Sequence, residues 1–146
     1  MARTGGGGIA LPRALAYWAA AHGCLGEVDQ WLEVVERGIE QARRPGWLER
    51  AHLVELLRVK GILHRDATRI EVAEKVYVDS LAWAREQQAR SWEPRTATSY
   101  ARLMRSQGRI GEARKLLNSV YGWFTEGFDT RYLKDAKALL EELRQA

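Results

Sequence analysis

Apolar residues recur every three or four positions along most of the chain, which is the period of an amphipathic helix. Leu15, Trp18 and Ala19 form one such stripe, and Val28, Trp31, Leu32, Val35 and Ile39 form the next. Two further segments continue the pattern after the break at Pro45-Gly46. No segment alternates strictly between apolar and polar residues in the way that predicts a strand. The pattern therefore predicts an all-α protein.

Turn-forming and capping residues divide this pattern into helices. Glycines flank a turn near residues 23–26 and another near 108–111. Asp66, Ser91 and Asp129 or Thr130 are candidate N-caps, and Pro94 falls in the first turn of a helix, where its missing N–H costs little. Seven helices are predicted, at residues 11–24, 27–43, 47–64, 68–89, 92–107, 110–124 and 130–145.

Length and composition fit one globular domain. The chain has 146 residues, of which 46% are hydrophobic and 29% charged. No apolar run approaches the roughly 20 residues that a membrane span needs, and the single Cys24 fits a reducing compartment. We therefore expect a cytoplasmic protein without membrane association. Residues 1–10 include four consecutive glycines and are interpreted as a flexible leader to a single domain at 11–146.

Small residues recur at a fixed offset, which indicates an internal repeat. In three successive hairpins, a small residue in the first helix is followed 12 positions later by a packing residue in the second. An apolar residue follows four positions after that. The pairs are Ala19 with Trp31, Gly61 with Ala73, and Ala101 with Ala113, and the apolar residues are Val35, Tyr77 and Leu117.

This pattern resembles the tetratricopeptide repeat, with Thr68 where the second repeat would carry its turn glycine. The stretches AREQQARSWE at 84–93 and YGWFTEGFDT at 121–130 further resemble the C-terminal tail of bacterial signalling proteins. Those proteins carry adenylate/guanylate cyclase or DNA-binding domains before a signal-transducing ATPase. The resemblance implies about three hairpins stacked as a short right-handed solenoid with a C-terminal capping helix. The resemblance implies no catalytic activity for this chain, because the chain has no phosphate-binding loop.

Catalytic and metal-binding patterns are weak in this sequence. The three histidines, His22, His52 and His64, fall in different predicted helices, and Cys24 has no neighbouring base. The adjacent Glu141 and Glu142 do not share a helix face. We therefore expect no catalytic residues, no metal, no cofactor and no enzymatic activity. The aromatic residues are interpreted as packing residues: Trp83, Trp92, Tyr121, Trp123 and Phe124.

Basic residues form the sharpest candidate site. Residues 95, 98, 102 and 105 follow helical spacing and share one face. The tetratricopeptide resemblance implies that the first helix of each repeat lines a concave groove, and arginines there could hold carboxylates in bidentate fashion. The predicted partner-binding residues are Arg58, Arg65, Arg95, Thr98, Arg102 and Arg105.

These features predict a protein-interaction module that binds an acidic peptide or a neighbouring domain, in bacterial signalling or regulation. A solvated basic face explains the same arginines without a ligand. A second alternative is nucleic-acid binding through a basic segment with a net charge of +5. Its basic residues are Arg85, Arg90, Arg95, Arg102, Arg105, Arg109, Arg114 and Lys115. A third alternative is a homo-oligomer that covers the ends of the helical stack.

Overall fold

The computed structural model describes residues 27–44 and 51–146, and these contain six α-helices and no strand. The all-α prediction is confirmed for this part of the chain. The predicted helix at 11–24 and the predicted leader lie outside the described residues. The helices are α1 (Val28–Ala42), α2 (Ala51–Asp66), α3 (Ile70–Glu86), α4 (Glu93–Ser106), α5 (Ile110–Tyr121) and α6 (Arg131–Gln145), with a 3₁₀ turn at Arg90–Trp92 before α4.

Helical hairpins are the repeating unit of the packing. Three-residue connections join α2 to α3 and α4 to α5, so each pair folds back on itself. The first helix α1 packs on α2, and α2 also contacts α4 of the next hairpin. The last helix, α6, packs on both α4 and α5. The first helices of the two hairpins therefore lie side by side, with α6 next to α4.

Three apolar clusters form the core of the described chain: one in each half, and a smaller one of Ala73, Tyr77 and Leu103 that joins α3 to α4. The first is centred on Val35, Ile39 and Leu56, from α1 and α2. The second is centred on Leu117 and Leu140, from α5 and α6. Of the residues that the repeat pattern paired, Trp31 is only partly buried and Ala19 lies outside the described residues. The fully buried ones are Ala73, Tyr77, Ala101, Ala113, Val35 and Leu117. In both hairpins, the residues that the pattern places 12 positions apart are therefore core residues.

Trp123 departs from its expected packing role, since it is 56% exposed. It lies after the end of α5, where the chain leaves the helix, and the guanidinium of Arg90 lies 3.9 Å above its ring. Trp83 and Phe124 do pack against the core clusters, as expected, although both are only partly buried. The helix was predicted to continue to residue 124, whereas α5 ends at Tyr121, so that Trp123 does not lie on a helix.

A tyrosine ring fills the space that a missing side chain leaves at Gly61. A Cβ atom placed on Gly61 would lie 2.5 Å from Cε1 of Tyr77, closer than atoms can pack. The ring of Tyr77 also stacks on Tyr100 of α4, with 5.6 Å between centroids. The small residue at position 61 is thus required for α3 to approach α2, as the repeat pattern predicted.

Buried hydroxyl groups connect the two hairpins. The Oγ of Ser80 in α3 donates a hydrogen bond to the carbonyl of Val54 in α2, at 2.8 Å. Since that bond uses the Ser80 proton, Thr96 of α4 is the donor in its 2.8 Å bond to Ser80 Oγ. Both side chains are fully buried. These two bonds fix the axial position of α4 relative to α2 and α3.

Three successive helices end in the same way. The residue two positions after each helix has a left-handed backbone: Thr68 (φ 60°), Gln88 (φ 54°) and Gly108 (φ 77°). In each case the next amide donates to a carbonyl five residues earlier, as in Arg69 N to His64 O at 2.8 Å. This is the Schellman arrangement of a helix C-terminus. It recurs every 20 residues and explains why the helix predicted at 68–89 is shorter than expected.

Two of the predicted N-caps are wrong. Asp66 is the last residue of α2 rather than the cap of α3, and Ser91 lies inside the 3₁₀ turn. The caps of α3 and α4 are Arg69 and Trp92, neither of which makes a side-chain capping bond. The left-handed turn residue, rather than a polar side chain, determines where each helix begins. Thr130, one of the two residues predicted to cap the last helix, occupies the N-cap position of α6 but likewise makes no side-chain capping bond.

Thr68→Gly should stabilise the protein by about 1 kcal/mol, because glycine adopts the left-handed backbone without the strain that a β-branched residue carries. The matched substitution Gly108→Ala should cost about 1 kcal/mol at the equivalent turn. Urea denaturation of both variants measures the two changes. Shifts of the same sign in the two variants would contradict the equivalence of the turns.

Candidate functional site

Four of the six predicted binding residues line one cavity of about 390 Å³. Arg58 comes from α2, and Arg95, Thr98 and Arg102 come from one face of α4. The helical spacing that grouped the α4 residues in the sequence therefore groups them in space. Contact between α2 and α4 adds Arg58 from a segment about 40 positions earlier.

The third side of this basic cavity comes from α6, which the sequence analysis did not connect with the site. Its first turns contribute Arg131, Tyr132 and Asp135. Arg131 Nε lies 4.0 Å from Asp135 Oδ2, a spacing of four residues along α6. The only sequence signal that could have pointed to these residues of α6 was this spacing of four positions, and it is typical of any solvent-exposed helix. The packing of α6 against α4 was needed to place these residues at the cavity.

A buried carboxylate holds two of the arginines in place. Glu55 is 1% exposed, and its Oε1 lies 2.7 Å from Arg58 Nη2 and 2.8 Å from Arg95 Nη2. Arg58 Nε also donates to Glu55 Oε2 at 2.9 Å, so that this pair is bidentate. Arg58 Nη1 donates to Ser99 Oγ at 3.2 Å. These bonds fix the guanidinium planes of Arg58 and Arg95 relative to the cavity.

The site retains an excess of positive charge after these pairings. Four guanidinium groups, from Arg58, Arg95, Arg102 and Arg131, face two carboxylates, Glu55 and Asp135, which leaves a net charge of +2. Arg102 is exposed and forms no ion pair with any described residue. The hydroxyl of Thr98 is buried and has no hydrogen-bond partner among the described residues. Of these two groups, the exposed guanidinium of Arg102 can donate hydrogen bonds to an anion.

Arg65 and Arg105 do not line the cavity. Arg65 lies two helical turns, about 10 Å, beyond Arg58, and its Nη2 is 2.8 Å from Asp66 Oδ1. Arg105 forms an ion pair with Glu142 of α6. The face that the sequence predicted is therefore divided: its middle part opens into the cavity, and its two ends carry intramolecular pairs. A partner contact at these two arginines stays a prediction.

Most arginines of the 85–115 segment are engaged within the protein. Arg85 and Arg90 each lie 3.4 Å from a carboxylate oxygen of buried Glu93. Arg109 pairs with both Glu74 and Glu112, and Arg114 donates to the carbonyl of Leu143. Glu93 and Glu112 belong to the segment itself and are already counted in its net charge. From outside the segment, glutamates at positions 55, 74 and 142 pair with its arginines and offset part of that charge. Of the segment's cations, Arg102 and Lys115 have neither an ion pair nor a side-chain hydrogen bond to a described residue.

The histidine, cysteine and adjacent glutamate residues were expected to form no catalytic or metal site. No group of three His, Cys, Asp or Glu side chains suited to a metal ion occurs among the described residues. His52 meets the edge of the Trp92 ring at 6.0 Å, and burial lowers the pKa of His64. His22 and Cys24 lie outside the described residues. No described helix is long and apolar enough to span a membrane.

Comparison of the chain with protein-family models, with curated proteins and with solved structures finds no match in any of the three. The function must therefore be inferred from the residues and geometry of this chain.

Glu55→Gln should destabilise the protein by about 3 kcal/mol, because it leaves two largely buried guanidinium groups without their carboxylate. The side chains of Arg95 and Arg58 are only 9% and 16% exposed. As a control, Glu36→Gln removes the partner of Lys60 at a site where Glu36 is 47% exposed, and should cost less than about 1 kcal/mol. Urea denaturation compares the two. Equal losses would show that the Glu55 pairs contribute no more than a surface pair.

The hydroxyl of Tyr77 provides a pH-dependent test of the packing behind the site. Burial raises the pKa of Tyr77 to about 12, although the charges of Arg65 and Arg58 oppose this shift. Between pH 10 and 12 the unfolded chain ionises Tyr77 while the folded protein keeps it neutral, so stability falls as the pH rises.

Tyr77→Phe should remove this dependence. Relative to the variant, the wild type should lose about 2–3 kcal/mol of unfolding free energy between pH 9 and 12. At pH 7 the variant should be at least as stable, because the Tyr77 hydroxyl has no partner among the described residues. Urea denaturation at each pH measures the difference, and parallel curves for the two proteins would contradict the assignment.

Proposed function

We propose that this protein is a non-catalytic interaction module that binds an acidic peptide segment, or an acidic segment of a neighbouring domain, in the basic cavity. The observation that supports this most is the convergence of α2, α4 and α6 on one cavity with a net charge of +2. Guanidinium groups bind carboxylates through paired hydrogen bonds. Arg102 supplies donors that no described residue uses.

We propose further that the helices form a tetratricopeptide-like, right-handed solenoid with α6 as the capping helix, in a single domain at 11–146. Two equivalent hairpins follow one another with matching turns at residues 68 and 108. The first helix of each hairpin lines the cavity, and α6 packs on the last hairpin. The resemblance of residues 84–93 and 121–130 supports a role in bacterial signalling, in the cytoplasm.

The expected mode of binding is electrostatic, with limited desolvation. The cavity is open to solvent at Arg102 and Arg131, and the Arg131 side chain is 89% exposed. Charge interactions at such a surface weaken as salt reduces the screening length to about 8 Å at physiological ionic strength. Affinity for an acidic segment should therefore fall steeply with salt.

The two alternatives have weaker support. Nucleic-acid binding through the 85–115 segment would use arginines that are already paired with Glu93, Glu74 and Glu112. A homo-oligomer is supported by exposed apolar side chains, of which Trp123 is the most exposed at 56%. Light scattering of the purified protein would show whether it self-associates.

Arg102→Glu should weaken the binding of an acidic peptide at least tenfold, because it replaces the unpaired cation of the cavity with an anion. The probe is a fluorescein-labelled peptide of six glutamates, titrated by fluorescence anisotropy at several salt concentrations. Arg37→Glu is the matched control: it makes the same charge change on an exposed position of α1, outside the cavity.

Arg37→Glu should alter the affinity less than about twofold, and both variants should keep the wild-type melting temperature. Equal losses in the two variants would show a non-specific attraction to net charge and contradict the proposed site. The same titration with single-stranded and duplex DNA tests the alternative. DNA binding that is tighter than peptide binding and unaffected by Arg102→Glu would favour the nucleic-acid function.

A further inference from the structure

A second cavity, of about 460 Å³, adjoins the basic one. Arg95 and Tyr132 line both cavities and so form the boundary between them. The guanidinium carbon of Arg95 lies 4.3 Å from the centroid of the Tyr132 ring. The boundary between the two cavities is therefore the stacked pair of Arg95 and Tyr132. Arg95 is also held by its ion pair with Glu55.

The chemistry of the second cavity differs from that of the first. Its walls are built largely of apolar groups, from Trp92, Pro94, Phe124 and Leu133. Its rim includes Ser91, Glu126, Gly127 and Thr130, which are exposed to solvent. An apolar recess that opens to solvent next to charged groups is typical of a ligand-binding surface. We refer to it as the apolar cavity.

We propose that the two cavities together recognise a composite peptide motif: an acidic residue in the basic cavity and a large apolar or aromatic side chain in the apolar cavity. This inference rests on the proposed function, and it names the partner's second determinant. An extended peptide advances about 3.3 Å per residue. Successive side chains of an extended peptide point to opposite sides, so that side chains two residues apart face the same way and lie about 7 Å apart. That spacing reaches both sides of a boundary one side-chain pair thick.

The boundary itself contributes to this recognition. Tyr132 presents its ring to Arg95, and Arg95 also lies 5.4 Å from the Trp92 ring centroid. Arg95 thus contributes to both cavities. Its positive charge lies at the basic cavity, and the plane of its guanidinium group covers part of the apolar cavity's wall. A peptide that carries only acidic residues would occupy one cavity and leave the apolar walls in contact with water. Specificity for the composite motif then follows from burying both groups at once.

Three labelled peptides test the motif: Gly-Glu-Ser-Phe-Ser-Glu-Gly, in which the Glu and Phe side chains are two positions apart and share one face, the same peptide with Ser in place of Phe, and the same peptide with Gln in place of both Glu. Fluorescence anisotropy at 150 mM salt should give an affinity for the composite peptide roughly tenfold above that for the acidic peptide, as burial of one aromatic side chain implies. The uncharged peptide should bind most weakly.

Ser91→Trp provides the matching change in the protein, because it places a bulky side chain at the rim of the apolar cavity. It should lower the affinity for the composite peptide to that for the acidic peptide, and leave the acidic peptide unchanged. Ser119→Trp, at an exposed position of α5 outside both cavities, is the control and should change neither affinity. Arg102→Glu should weaken both peptides.

The outcomes separate this inference from the proposed function. Equal affinities of the wild type for the composite and acidic peptides would overturn the composite motif and leave the acidic-peptide function standing. An uncharged peptide that binds as well as the composite one would also overturn the motif. If neither charged peptide binds the wild type, the proposed function itself fails. The peptide comparison does not depend on whether the Ser91→Trp variant folds.

Discussion

The buried carboxylate of Glu55 is the interaction on which the candidate site depends. It joins α2 to α4 through Arg95, which lies 40 positions later in the sequence, and it also holds Arg58 of its own helix. Arg95 in turn stacks on Tyr132, so that the position of α6 is coupled to the same carboxylate. One acidic side chain thereby determines the directions of the arginines in the basic cavity and the boundary with the apolar one.

Such an arrangement is not explained by stability alone. Removing charged groups from water is costly, and buried ion pairs often contribute little net free energy compared with apolar residues of similar size. Glu55 is nevertheless placed under the cavity, where it holds guanidinium groups that would otherwise sample many rotamers. For the proposed function, the physical benefit is preorganisation: less side-chain entropy is lost when an acidic segment binds. The same carboxylate also lowers the net positive charge of the site.

The repeated geometry of the hairpins explains how this carboxylate reaches its partners. Left-handed turn residues recur every 20 positions, and so helices of similar length follow one another in alternating directions. The Ser80 and Thr96 hydroxyls then fix α4 along the axis of α2 and α3. A shift of one helical turn, about 5.4 Å, would separate Arg95 from Glu55. The hydrogen bonds of Ser80 and Thr96 between the hairpins therefore maintain the helix register that keeps Arg95 next to Glu55.

The sequence by itself determined the helical class, most helix positions and the face of α4 that carries Arg95, Thr98 and Arg102, because the 3.6-residue period governs both burial and side-chain direction. It also located Gly61 and Thr68 as special positions, since a small residue and a missing turn glycine are visible in a repeat. Only the tertiary structure decided that Glu55 neutralises part of the basic face, that Arg105 pairs with Glu142, and that α6 completes the cavity. These pairings join residues far apart in the chain, and their partners are set by the packing of helices rather than by any local pattern.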